Sequence, residues 1–448
     1  MKNVKLTSLL LVLFFAFSTN GFSQESWGLQ KCINYALDNN IQIKKQKLNS
    51  EISENNLKQS KYNLLPSLNG SASHSFSFGK TADMSSYQYV DQKFQSGNMA
   101  LQAQVNLFNG LRDYNAVKQN EFNLLASLQD VEKAKNDISL NIVSAYLQIL
   151  FNKEALSNSE NELEITKQQV ERTKKLVDAG NLAKGSLLEI ISQQATEKVS
   201  VINNKNQLNM SYLTLTQMLD LDSIGNFEIE VPELSISNIG EIPVIDTIYA
   251  QAENNFPQIK SAKYRMKGSE KNLLISKGQR YPQLSLRGSY YSRYSELAKD
   301  PLDPTADYSY KDQLGDYAGS QISFSLSIPI FNKFAVKTSV DNAKISLLSA
   351  KYDYDLTKQQ VYKDIQQAIS DANAALESYQ ARKEALVSME ESFKYTQQKF
   401  NLGLVNSLDF NTSKNNLNKA KSDLLQAKYQ YIFKLKILDF YQGKQIQL

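Results

Sequence analysis

Few side chains in this sequence could do covalent chemistry. It holds one histidine, His74, which falls on an alternating strand pattern and reads as a wall residue, so imidazole-based triads and multi-histidine metal sites are not expected within one chain. It holds one cysteine, Cys32, so no intrachain disulfide forms. Trp27-Gly28-Leu29-Gln30-Lys31 sets a charge beside Cys32, which suits a small apolar residue on a first helix better than a lipid anchor. Gly180-Asn181-Leu182-Ala183-Lys184-Gly185-Ser186 superficially matches a phosphate loop, but that motif needs Lys after its last glycine and a strand before its first. The basic cluster Lys44-Lys45-Gln46-Lys47 falls in a helical pattern and reads as a solvated face, so no nucleic-acid partner is expected. Carboxylates remain, yet no apolar cleft is suggested that would split a pair into acid and base. The expectation is a protein that is not an enzyme, needs no cofactor and works through its shape.

Elements therefore carry the reading. Residues 1–23 read as a secretory signal peptide: Lys2 and Lys5, the apolar run Leu9–Phe17, then Gly21 and Ser23 at −3 and −1 of a cut before Gln24. Its removal takes two lysines and no acid, lowering the formal charge from +4 to +2. The run is shorter than the roughly 20 residues of a spanning helix, and no later stretch reaches that length uninterrupted.

The chain reads as two copies of one plan. Val105-Asn106-Leu107-Phe108-Asn109 matches Ile328-Pro329-Ile330-Phe331-Asn332, and Asp178-Ala179-Gly180 matches Asn401-Leu402-Gly403 at the same offset. Leu65-Pro66-Ser67-Leu68 answers Tyr281-Pro282-Gln283-Leu284. The expected division is a first repeat over 24–225, an inter-repeat segment over 226–245, a second repeat over 246–441 and a tail over 442–448. Each repeat opens on a helical pattern, about 29–63 and 247–278, that stops before Pro66 or Pro282.

Beyond each proline the period changes from 3.6 to 2. Strands are expected at about 67–78, 97–108, 283–294 and 320–330, each with one apolar and one Ser, Asn or Gln face. Runs of this length suit tilted transmembrane strands of roughly 9–11 residues, with Tyr290, Tyr291 and Tyr294 placed as an aromatic girdle. The hairpin loops 79–96 and 295–319 read as extracellular. Four strands cannot close a barrel, and open edges in lipid strand unpaired N–H and C=O groups, so the chain must oligomerise. A dimer supplies eight strands and a trimer twelve. Periodicity leaves both open.

After Asn109 and Asn332 come helical patterns of about 70 residues, each on the order of 100 Å long, ending at Gly180 and Gly403. Shorter patterns return over about 186–219 and 409–438. Two short helices end to end match one long helix, which predicts a hollow helical tube beneath a barrel, with 226–245 near its middle.

Taken in order, these features resemble the TolC-like outer-membrane efflux proteins over residues 28–441. The opening Leu29–Asn40, the Leu-Pro-Ser-Leu approach to the strands, Val105–Gly110 with its copy Ile328–Lys333, and the glycine turns Gly180–Lys184 and Gly403–Ser407 carry the resemblance. It implies a mainly helical fold with a membrane β-barrel: a homotrimer whose twelve-stranded barrel continues into a twelve-helix periplasmic tunnel, seated in outer-membrane lipid. It implies a passive exit duct of a tripartite efflux or type I secretion complex, with a periplasmic adaptor and an inner-membrane pump as partners and small molecules or polypeptides as cargo. A periplasmic coiled-coil scaffold without a channel is the alternative.

The resemblance also implies sites. The glycine turns would form the tip where adaptor hairpins dock, with Gly180, Asn181, Leu182, Gly403, Leu404 and Val405 as candidates. In the family's namesake, acidic residues six and nine positions after the second glycine help close the tunnel. Asp409 and Thr412 hold those places here, and Ser186 and Glu189 hold the equivalent places of the first copy. Three copies would set rings of Asp409 and Glu189 around a narrow water path. In the other reading, which does not exclude the first, Asp409 is an N-cap and Glu189 a first-turn acid facing the helix dipole.

Overall fold

Proline spacing and the switch in hydrophobic period set where helix gives way to strand. The computed structural model describes residues 26–83, 87–91, 93–221, 227–232, 245–300, 302–303, 306 and 308–447. The expected signal peptide and most of the segment 226–245 lie outside them. The fold is mainly helical. It divides into two units, one of residues 48–129 and 258–357, the other of the remaining chain.

The first unit is built on a sheet. Strands β1 (Ser67–Ser77), β4 (Phe94–Phe108), β5 (Gln283–Ser295) and β6 (Gly319–Ser327) pair antiparallel in that order. A hairpin of β2 (Lys80–Asp83) and β3 (Gln88–Asp91) fills part of the expected loop 79–96. The other loop holds a helix, Tyr310–Asp316, capped by Ser309 Oγ accepting from Asp312 N–H. Strand ends shift accordingly: β4 starts three residues before the expected 97, and β6 stops at 327 rather than 330. Pro329 has no N–H to give a ladder, so pairing ends ahead of it.

Pairing register makes the sheet two-faced. One row aligns Leu68, Ala103, Gly288 and Ile322; neighbouring rows align Gly70, Leu101 and Tyr290, and Val105, Leu286 and Phe324. The opposite face aligns Ser67, Gln104, Arg287 and Ser323, then Asn69, Gln102, Ser289 and Gln321. A one-residue slip would mix them, so the alternation of all four sequences specifies one register. The apolar face is bare: Leu68 is 72% exposed, Ile322 77% and Phe324 69%. Tyr290 and Tyr294 lie on the apolar side, whereas Tyr291 pairs with Ala100 on the polar face, which corrects the expected girdle. Its ring lies where a Cβ on Gly319 would stand, so the tyrosine covers a glycine of the neighbouring strand.

Where β4 turns into a helix, Gly110 takes φ +70°, and a Cβ there would come within 2.3 Å of the Gly278 carbonyl. A side chain at Gly278 would strike Gly110 O at 2.7 Å, so the two glycines allow two backbones to touch.

The helices are α1 (Leu29–Asn39), α2 (Ile41–Tyr62), α3 (Arg112–Asp178), α4 (Lys184–Leu219), α5 (Ile245–Asn255), α6 (Pro257–Gly278), α7 (the loop helix 310–316), α8 (Ala335–Asn401) and α9 (Ser407–Tyr441). Both long helices, α3 and α8, have 67 residues. The expected opening helices are each broken in two. Asn40 leaves helical geometry at ψ 128°, its Oδ1 accepts Gln42 N–H at 2.9 Å, and its Nδ2 donates to Met218 O at 2.9 Å. Pro257 starts α6 as a first-turn proline and ends α5 before Phe256.

The second unit holds the core. Cys32, Ala36 and Ile43 pack with Ile142, Val143, Tyr146 and Ile149 of α3 and with Leu215 and Leu219 of α4. Residues 227–232 join this core by a parallel bridge, Trp27 to Ile229, and the Tyr146 hydroxyl donates to Glu230 O at 2.7 Å. Cys32 is fully buried, and loss of water pushes its thiol up to about 12. No described helix is long and apolar enough to cross a membrane.

Candidate functional site

Both long helices end by the same device. Gly180 takes φ +77° and donates to Val177 O at 2.9 Å, while Asn181 N–H reaches Leu176 O at 2.8 Å. Gly403 takes φ +74° and donates to Phe400 O at 3.0 Å, while Leu404 N–H reaches Lys399 O at 2.9 Å. These paired bonds are the Schellman pattern, and only glycine enters its left-handed position without steric cost. No atom lies within 4 Å of where either Cβ would stand, so backbone conformation and not crowding requires glycine.

The helices that follow start differently. Ala183 precedes α4 with no side-chain cap, whereas Asn406 Oδ1 accepts Asp409 N–H at 2.8 Å and caps α9. Asp409 is therefore not the N-cap; it is a first-turn acid, placed to favour the positive end of the helix. Glu189 lies a turn deeper in α4 than a first-turn acid, and its carboxylate instead accepts from the Ser407 hydroxyl of α9. Ser186 Oγ lies 3.4 Å from Ser407 Oγ, which can accept from it once its own proton is given to Glu189.

Of the expected constriction residues, Ser186 and Glu189 thus meet at Ser407, the last residue of the second glycine turn and not itself among the expected constriction residues. Asp409 and Thr412 stand exposed on α9. Asn181 is exposed at its turn, as is Leu404, while Leu182 and Val405 are half-buried. Leu188, Leu402 and Leu408 add apolar surface nearby in sequence, each more than half exposed.

Further along the same helices lies a second polar group. Lys414 of α9 and Glu197 of α4 are buried and paired at 3.0 Å, and the Thr166 hydroxyl of α3 donates to Glu197 and accepts from Lys414. Glu162, mostly buried, is paired with Lys421 at 2.8 Å. A buried charge is tolerated when paired and hydrogen-bonded, and here one such pair ties α3, α4 and α9. The sequence held a signal for it. Lys414 stands four residues after buried Phe410 and three before buried Leu417, where the apolar stripe calls for a hydrophobic residue.

The family model described as "Outer membrane efflux protein" matches residues 32–220 and again 248–443. The outer membrane protein TolC of Escherichia coli is 21% identical over 432 residues, covering 94% of this chain and 84% of that one. Among solved structures, the Campylobacter jejuni CmeC outer membrane channel superposes with a TM-score of 0.78 at 18% identity, covering 94% of this chain and 86% of the other. The outer membrane protein VceC of Vibrio cholerae gives 0.77 at 15% identity, covering 93% and 96%.

Proposed function

The chain belongs to the outer membrane efflux protein family and is an outer-membrane efflux channel, and from that premise we propose how it is assembled and where it is gated. Three copies join their four-stranded sheets into a twelve-stranded barrel, continued by a twelve-helix periplasmic tunnel. The assembly is a passive exit duct, receiving small molecules or polypeptides from an inner-membrane pump through a periplasmic adaptor.

One observation carries this reading: a sheet whose apolar face is bare and whose outer strands, β1 and β6, each pair on one side only among the described residues. Lipid is the surrounding in which such a face gains, and closure with other copies satisfies the edges. A periplasmic scaffold would leave the same face in water.

In the trimer, Ser186, Glu189, Asp409 and Thr412 line the periplasmic constriction, with the Ser407 to Glu189 bond tying α9 to α4 there. Gly180, Asn181, Leu182, Gly403, Leu404 and Val405 form the adaptor-docking tip, supported by the exposed leucines around them. Residues 227–232 lie at the equator of the tunnel.

Native mass spectrometry of the detergent-extracted protein tests the assembly, with a trimer expected; a monomer from the soluble fraction would overturn it. For the gate, Asp409→Ala is expected to change cation block or leak of channels in planar bilayers. Unaltered conductance and block would remove Asp409 from that role.

A further inference from the structure

The polar face of the sheet is charged with one sign only. Across β1, β4, β5 and β6 it carries Ser, Asn, Gln, Gly, Ala and aromatic residues together with two arginines, Arg287 and Arg293, and no Asp or Glu. The two arginines are not equivalent. Arg293 stands toward the loop end of β5, its guanidinium 5.2 Å from the Tyr317 ring centre. Arg287 stands mid-strand, exposed, in the row of Ser67, Gln104 and Ser323. The row on one side holds Asn106, Ser285 and Ser325, and the row on the other holds Asn69, Gln102, Ser289 and Gln321.

Arg287 donates from Nη2 to Gln104 Oε1 at 3.2 Å, a neutral partner that orients the guanidinium and leaves its charge uncompensated. Guanidinium has five N–H donors in a planar fork matched to carboxylate and phosphate oxygens, and this contact uses one. The surrounding wall offers hydroxyls and amides, which hydrate a passing solute without selecting its charge. Selection by charge at this level therefore falls to Arg287.

We propose that Arg287 is a selectivity residue of the barrel: in the trimer, three copies of it ring the lumen at one level and bind carboxylate- or phosphate-bearing solutes on their way out. This rests on the trimeric reading above, which turns the polar face inward. A ring of arginines in a pore favours anions in the way a ring of carboxylates favours cations. Its field is partly screened by salt, because the face is wet.

The test uses full-length protein in planar bilayers of neutral lipid, with inorganic tripolyphosphate added on the barrel side and the current read as block. Wild type is expected to show block that weakens as KCl is raised. Arg287→Gln should raise the blocking concentration by at least about tenfold, which corresponds to ~1.4 kcal/mol, and Arg287→Lys should keep most of the block. If wild type and Arg287→Gln conduct and respond alike, the ring is overturned while the channel stands. If wild type forms no channel at all, the trimeric reading fails and the ring with it.

Discussion

The two units handle apolar residues in opposite ways. In the helical unit, Ile142, Ile149, Leu215 and Leu219 are at most 2% exposed, and even a lysine and a glutamate lie buried as a pair. In the sheet unit, Leu68, Ile322, Phe324 and Leu326 stand at least 60% exposed. Both stretches obey the same rule, that apolar groups leave water. What differs, under the proposed barrel, is where the surroundings are apolar: inside the helical unit, and outside the sheet.

The buried pair is where this contrast breaks most severely. Glu197→Ala leaves the buried Lys414 ammonium with only the Glu162 carboxylate at 4.0 Å, shared with Lys421, and should destabilise the helical unit by up to about 3–5 kcal/mol. Urea unfolding followed by circular dichroism measures the loss. Replacing both partners, Glu197→Leu with Lys414→Met, is expected to recover most of it, because no lone charge remains buried.

The sheet should respond differently to charge. Leu101→Arg on its apolar face is expected to cost ~2–4 kcal/mol per copy if that face meets the bilayer midplane, and much less in detergent-free buffer. Refolding into vesicles against urea reads the difference. Gln102→Arg, one residue along on the polar face, serves as the control and should be tolerated.

The mildest test concerns the helical core alone. The Cys32 thiol, held up to about 12 by burial, stays protonated where the unfolded chain, titrating near 9.0, already releases its proton. The contribution of that preference to stability is present below pH 9.0 and fades as pH rises toward 12. Native protein at pH 8 should therefore resist iodoacetamide, and unfolding in urea should open it to rapid alkylation. Equal rates in both states would place Cys32 outside the core.

Much of the fold was legible because it rests on local rules. Pro66 and Pro282 stop helices, period-2 alternation made the strands, and glycines at 180 and 403 end the long helices. Other features had local signals that were passed over: Asn40 and Pro257 mark the breaks in the opening helices, and Lys414 interrupts an apolar stripe. Pro329, too, foretold that β6 stops early. The place of Tyr291 on the polar face follows from strict alternation with Tyr290, so an aromatic cluster in sequence is not an aromatic cluster on one surface.

The site was less legible than the fold. That Glu189 accepts from Ser407 depends on where α4 and α9 lie side by side, more than 200 residues apart in sequence, whereas the Asn406 cap of α9 spans three residues and is a local signal. By itself, the sequence determined the order of strands and long helices and the two-faced character of the sheet, because those follow from each residue and its near neighbours. Only the tertiary structure decided the partners: which strands share an edge, which helices share a buried charge, and that Arg287 faces a neutral wall. Such choices depend on distances between remote segments, and no local pattern encodes a distance.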